Sequence, residues 1–66
     1  MELKLKELRE NQHLTQEELA QKAGVSRLTI INLENKKTDN VSGRTLRNLS
    51  AALGCKIDDL FYKESV

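Results

Sequence analysis

Proline is absent from the 66 residues, and cysteine and histidine occur once each, as Cys55 and His13. Without proline, no position carries the ring that breaks or kinks a helix. One cysteine rules out a disulfide framework, and the paired Cys and His spacings of metal sites are missing as well. Folding therefore needs neither an oxidising compartment nor a metal. Long apolar runs are lacking too: from Met1 to Glu10 a charge falls at nearly every second position. That pattern is unlike a signal peptide or a membrane span. The expectation is a cytoplasmic protein with no membrane contact, no metal and no cofactor.

The same scarcity bears on catalysis. An enzyme needs mutually placed acids, bases or nucleophiles in a cleft. Here His13 falls in a predicted surface loop, and Cys55 follows a helix end with no base nearby in sequence. The carboxylates lie on predicted solvent-facing helix surfaces. Cys55 is expected to fill space, half-buried, rather than to react. The chain is expected not to be an enzyme. Its length allows one domain with one small core, residues 1–66, near the lower limit for folding without staples.

What the sequence does hold is helix-forming composition and a skewed charge distribution. The net charge is only +1. Between Lys22 and Arg47, however, six basic residues (Lys22, Arg27, Lys36, Lys37, Arg44, Arg47) face two acidic ones (Glu34, Asp39), a local balance of +4 that leaves −3 elsewhere. One basic face on an otherwise acidic surface suits a phosphate-bearing partner.

Leu, Ala, Glu, Lys, Gln and Arg dominate, no strand-like alternation occurs, and the chain reads as all-α. A first helix is predicted from about Glu2 to Asn11, with Leu5 and Leu8 on one face, Leu3 flanking them and Asn11, Gln12 and His13 fraying its end. Thr15 and Glu18 form a capping box that starts a second helix at Gln16. This helix buries Leu19, Ala20 and Ala23 and stops at Gly24, which can take a positive φ. Ser26 caps a third helix, Arg27 to about Glu34, with Ile30 and Leu33 inward. A polar loop from Asn35 to Val41 follows, with Asn35 predicted to close the helix in the left-handed conformation. Ser42 caps a fourth helix with Leu46, Leu49, Ala52 and Leu53 on its inner face, and Gly54 ends it. Ile57, Leu60 and Phe61 form a last short helix started by Asp58. Five helices fit the length.

Residues 16–35 then make a helix, a short turn and a second helix, with each restricted position mechanically explained. Ala20 is small where the helices cross, Gly24 turns the chain, and Val25, Ile30 and Leu33 join the pair to the core. Through the string LTQEELAQKAGVSRLTIINLEN, and on through TLRNLSAALGCKIDDLF, the chain resembles the phage repressor and Cro family, the xenobiotic-response-element-like helix-turn-helix proteins. The resemblance covers almost the whole chain. It implies a compact five-helix, lambda-repressor-like domain that binds operator DNA, usually as a dimer, without catalysis.

By that resemblance the third helix lies in the major groove and the second crosses the phosphates. Arg27 is the leading base reader, since a guanidinium can donate twice to guanine O6 and N7. Asn32 is placed to read adenine, and Leu28 to touch a thymine methyl. Gln16 matches the glutamine that meets a phosphate at the start of the second helix. Ser26, Thr29, Asn35, Lys36, Lys37, Thr38 and Arg44 complete the phosphate contacts, which set affinity rather than sequence choice. Arg9 and Glu34 match an ion pair between the first helix and the end of the third, a structural role shared here with Ala20 and Gly24.

The chain departs from the family pattern after the third helix. The usual Glu-Asn-Gly turn reads Glu34-Asn35-Lys36, the usual proline before the fourth helix is Val41, the usual leucine after its cap is Gly43, and the loop is one residue longer. Ile31 is apolar where relatives are mostly polar. Low net charge, Leu28 and Ile31 favour a second reading, an antitoxin-like or anti-repressor module that binds a protein partner. Gln16, Arg27 and the basic segment favour double-stranded DNA. A single domain of this size covers too little DNA for high specificity, so a homodimer on a palindrome is expected, acting as a repressor.

Overall fold

The computed structural model describes residues 3–35 and 41–62. These residues form four α-helices and one turn of 3-10 helix: α1 (Leu5–Asn11), α2 (Gln16–Ala23), α3 (Arg27–Glu34), α4 (Gly43–Leu53) and the 3-10 turn Ile57–Leu60. Among them the single strand-like pairing is an isolated antiparallel bridge between Leu3 and Phe61. The all-α architecture expected from the sequence is the one found.

Three of the helices begin where a side chain can satisfy the free N–H groups of a first turn. At α2 the Thr15 hydroxyl accepts from the Glu18 backbone N–H at 3.0 Å, and the Glu18 carboxylate accepts from the Thr15 N–H at 2.9 Å. The Ser26 and Ser42 hydroxyls do the same for Thr29 and Thr45 at the starts of α3 and α4, each at 3.1 Å. α2 ends at Gly24, whose φ of 69° lets the Val25 N–H reach back to the Ala20 carbonyl at 3.0 Å. A Cβ on Gly24 would meet nothing within 4 Å, so backbone conformation and not crowding selects glycine. Gly54, with φ 68°, closes α4 likewise.

Packing follows the sequence period. The largest fully buried side chains are Leu5, Leu19, Ile30, Leu49 and Leu60, one from each of the five elements. Ala20, Ala23, Leu33, Ala52 and Leu53 complete the buried core, with Leu3, Leu8, Leu14, Val25, Val41, Leu46, Cys55 and Phe61 packed partly buried against it. Each buried leucine or isoleucine contributes about 1.5–3 kcal/mol over an exposed one. α2 packs on both α3 and α4, α4 holds the 3-10 turn, and α1 rests on α3.

Four local expectations need correction. α1 starts at Leu5, not near Glu2, because Leu3 pairs with Phe61 and the Lys4 N–H is given to the Leu60 carbonyl at 2.8 Å. The last element is a 3-10 turn rather than a helix begun by Asp58. Its cap is Lys56, whose N–H donates to the Asp59 carboxylate at 3.1 Å, and Phe61 has already turned extended. Asn35 does not take the left-handed conformation. Its φ is −91°, and its N–H simply continues the helical pattern to the Ile31 carbonyl at 3.0 Å. Among the described residues the non-glycine residue with a positive φ is instead His13, φ 58°, in the α1–α2 turn. On α4 the buried face also takes in Ser50, whose hydroxyl donates to the Arg47 carbonyl at 2.8 Å, while Leu46 is only half-buried.

Candidate nucleic-acid interface

The outward surface of α3 follows from its inward one. Ile30 and Leu33 are in the core, so with about 100° per residue the opposite face carries Leu28, Asn32 and Asn35, with Ile31 beside them. Leu28 is 63% exposed, the most exposed large apolar side chain described. Asn32 and Ile31 are half-buried, and Asn35 is exposed at the helix end. At the other end Ser26 and Arg27 are exposed. The Ser26 hydroxyl is occupied by the cap and shares a 2.8 Å hydrogen bond with the half-buried Thr29 hydroxyl.

Arg27 also borders a solvent-open hollow whose other walls are Arg9, Thr15, Gln16 and Glu17. The start of α2 and the start of α3 thus meet around one depression. Unsatisfied N–H groups and the helix dipole make such a start favourable to anions, although Glu17 adds an opposing charge.

Arg9, one wall of the hollow, also belongs to an ion pair that ties three helices together. Arg9, on α1, donates from Nε to Glu34 Oε2 at 2.6 Å and from Nη2 to Oε1 at 3.1 Å. Its Nη1 donates to the Leu14 carbonyl at 2.7 Å, fixing the α1–α2 turn. The two side chains are 11% and 3% exposed. The hydrogen bond to Glu34 raises the Arg9 pKa above its ordinary value, burial opposes it, and the charges of Glu34 and Glu10 add to it. Glu34 also accepts a third hydrogen bond, from Gln16 Nε2 to Oε1 at 3.1 Å. Among the described residues no buried side-chain N or O lacks a partner.

The Gln16–Glu34 bond had no signal in the sequence. The two residues are eighteen apart and meet only through the crossing of α2 and α3. Of the other residues singled out, Ala20 is buried on α2, Gly24 makes the turn, and Arg44 is exposed in the first turn of α4. Lys36, Lys37 and Thr38 lie outside the described residues. Cys55 stands apart from the hollow, and burial, then the Asp59 charge, push its thiol up against a smaller opposing pull from Lys4. Among the described residues no group of His, Cys, Asp or Glu is arranged to hold a metal, and no helix is long and apolar enough to cross a membrane.

Two capped helices joined by a glycine turn, one inserted in the core by its inner face and bare on its outer face, define a helix-turn-helix protein. The helix-turn-helix family model matches residues 5–60, and the chain belongs to that family, in the xenobiotic-response-element-like group its motifs resemble. An uncharacterized HTH-type transcriptional regulator of Methanocaldococcus jannaschii is 45% identical over 64 residues, spanning 97% of this chain and 96% of the relative. Two uncharacterized HTH-type transcriptional regulators of Archaeoglobus fulgidus are 41% and 39% identical over 61 residues, 92% of this chain and 86% and 84% of theirs.

Proposed function

We propose that the chain is a DNA-binding transcriptional regulator that acts without catalysis, in the cytoplasm, by placing α3 in the major groove of double-stranded DNA. The observation that carries this reading is the disposition of α3: Ile30 and Leu33 hold it in the core while Arg27 and Leu28 are exposed and Asn32 lies half-buried on the outer face. Membership of the helix-turn-helix family and the regulator names of the relatives support it. Arg27 reads guanine by a paired donation, Asn32 reads adenine, and Leu28 covers a thymine methyl. Gln16, Ser26, Thr29, Asn35, Lys36, Lys37, Thr38 and Arg44 hold phosphates and set the register. Arg9 and Glu34, with Ala20 and Gly24, keep the two helices in place.

Residues 1–66 work as one domain, and two copies bind a palindromic operator as a homodimer that represses transcription. The test is selection from a pool of random duplexes at moderate salt. Enrichment of a palindrome with half-sites about one helical turn apart supports the reading. On the enriched site, log K should fall linearly with log salt, at a slope near −0.9 per neutralised phosphate. Recovery of no duplex by the folded protein rejects it. The exposure of Leu28, with Ile31 beside it, favours the second reading, an antitoxin-like or anti-repressor module that meets a protein partner through α3. Such a module would bind its partner with affinity unaffected by competing duplex.

A further inference from the structure

Resting on the DNA-binding reading, we infer that Glu34 is a positioning residue for the phosphate contact: it sets which way the Gln16 amide faces. An ionised carboxylate can only accept hydrogen bonds, whereas a glutamine amide offers two donors at one end and an acceptor at the other. Of the two orientations of the Gln16 amide, only the one with Nε2 toward Glu34 makes a bond, and that is the orientation found, at 3.1 Å. The reverse would set the amide oxygen against a carboxylate that is 3% exposed. Glu34 thereby takes one of the two Nε2 hydrogens and leaves the other for an anion entering the hollow at the start of α2.

The arrangement works because Glu34 is neutralised from its other side. Arg9 meets both carboxylate oxygens, so Glu34 can orient Gln16 without presenting an unpaired negative charge to an incoming phosphate. Oε1 is shared between Arg9 Nη2 and Gln16 Nε2, which joins the brace of α1 on α3 to the side chain at the first residue of α2. Arg9 and Gln16 are also walls of the same hollow. The ion pair therefore does more than hold α3 in place. It delivers a donor, and not an acceptor, to the phosphate side of the interface.

The test is a double-mutant cycle on a duplex recovered by selection, with binding measured for the unmutated chain, Gln16→Ala, Glu34→Gln and the double variant. Gln16→Ala should weaken binding about tenfold, Glu34→Gln by a similar factor, and the double variant no more than Glu34→Gln alone. Losses that multiply overturn the inference. Because Glu34→Gln also takes a charge partner from Arg9, the cycle is joined to side-chain amide NMR of the unmutated protein. One Gln16 Nε2 proton should be protected from exchange and unmoved by duplex, while its twin shifts on binding. Two equally exchanging protons, or a pair indifferent to duplex, refute the positioning role. If the unmutated chain binds no duplex, the DNA reading falls and this role with it; binding with multiplying losses removes the role alone.

Discussion

The α2–α3 unit and the first and last described elements are secured by different means. Within the unit, Thr15, Glu18, Gly24 and Ser26 each act on backbone a few residues away, and Arg9, Gln16 and Glu34 lock the helices from behind. In the first and last described elements α1 has no side-chain cap, and the 3-10 turn, capped by the Lys56 N–H bond to Asp59, is held by Leu60 in the core, the Leu3–Phe61 bridge, one bond from Lys4 and the Tyr62 hydroxyl bond to Glu7 on α1. A connected ion-pair network braces the first region, whereas in the second, isolated side-chain bonds add to apolar burial and backbone pairing. A surface that must hold side chains in register needs the directional kind, because hydrophobic contact carries little orientation.

The largest expected effect breaks the first region. Arg9→Ala strands a carboxylate that is 3% exposed, and should cost about 3–5 kcal/mol in urea unfolding, much of the stability of so small a domain. A loss below about 1 kcal/mol, the range of surface ion pairs, would show that the brace is no stronger than those. Gly24→Ala comes next. With open space around it, the penalty is purely that of a positive φ, about 1–2 kcal/mol, read as a drop in melting temperature of several degrees.

Thr15→Ala should cost about 1 kcal/mol through loss of the cap. It carries a second signature in pH. Hydrogen bonds from the Thr15 backbone and then its side chain hold the exposed Glu18 carboxylate below its ordinary value of 4.5. A depressed carboxylate contributes stability that is present above 4.5 and lost as pH falls through the lower folded value. Melting curves on both sides of 4.5 should therefore show both chains losing stability on acidification while a gap between them persists, because the residue-15 backbone N–H survives the substitution and the lost hydroxyl bond to the Glu18 N–H does not titrate. The smallest effect sharpens the contrast from the other side. His13 sits at φ 58° in the turn that Arg9 anchors through Leu14, so His13→Gly should relieve strain and raise stability by up to about 1 kcal/mol, seen as a higher melting temperature.

The same contrast explains what could be read from the residues. α2, α3 and α4 have the expected bounds because their start and stop signals, Thr15 with Glu18, Gly24, Ser26, Ser42 and Gly54, act within one turn. The start of α1 and the form of the last element depend on Leu3 meeting Phe61 from the far end of the chain, and no local pattern encodes that pairing. Asn35 and His13 show the limit of propensity: asparagine favours the left-handed region, yet the neighbouring backbone bonds place histidine there instead. At the site, the outward face of α3 follows from helical period. The Arg9–Glu34 pair came into view by family resemblance, and the Gln16 bond to Glu34 only from the crossing of two helices.

The central claim, that α3 reads bases while residues around it hold phosphates, is tested most directly by comparing Arg27→Ala with Arg44→Ala on a selected duplex and on its scrambled counterpart. Arg27→Ala should lose about 1–3 kcal/mol on the selected site and little on the scrambled one, whereas Arg44→Ala should weaken both about equally. Equal, uniform losses from both substitutions would contradict the claim and leave α3 as a phosphate contact or a surface for another protein.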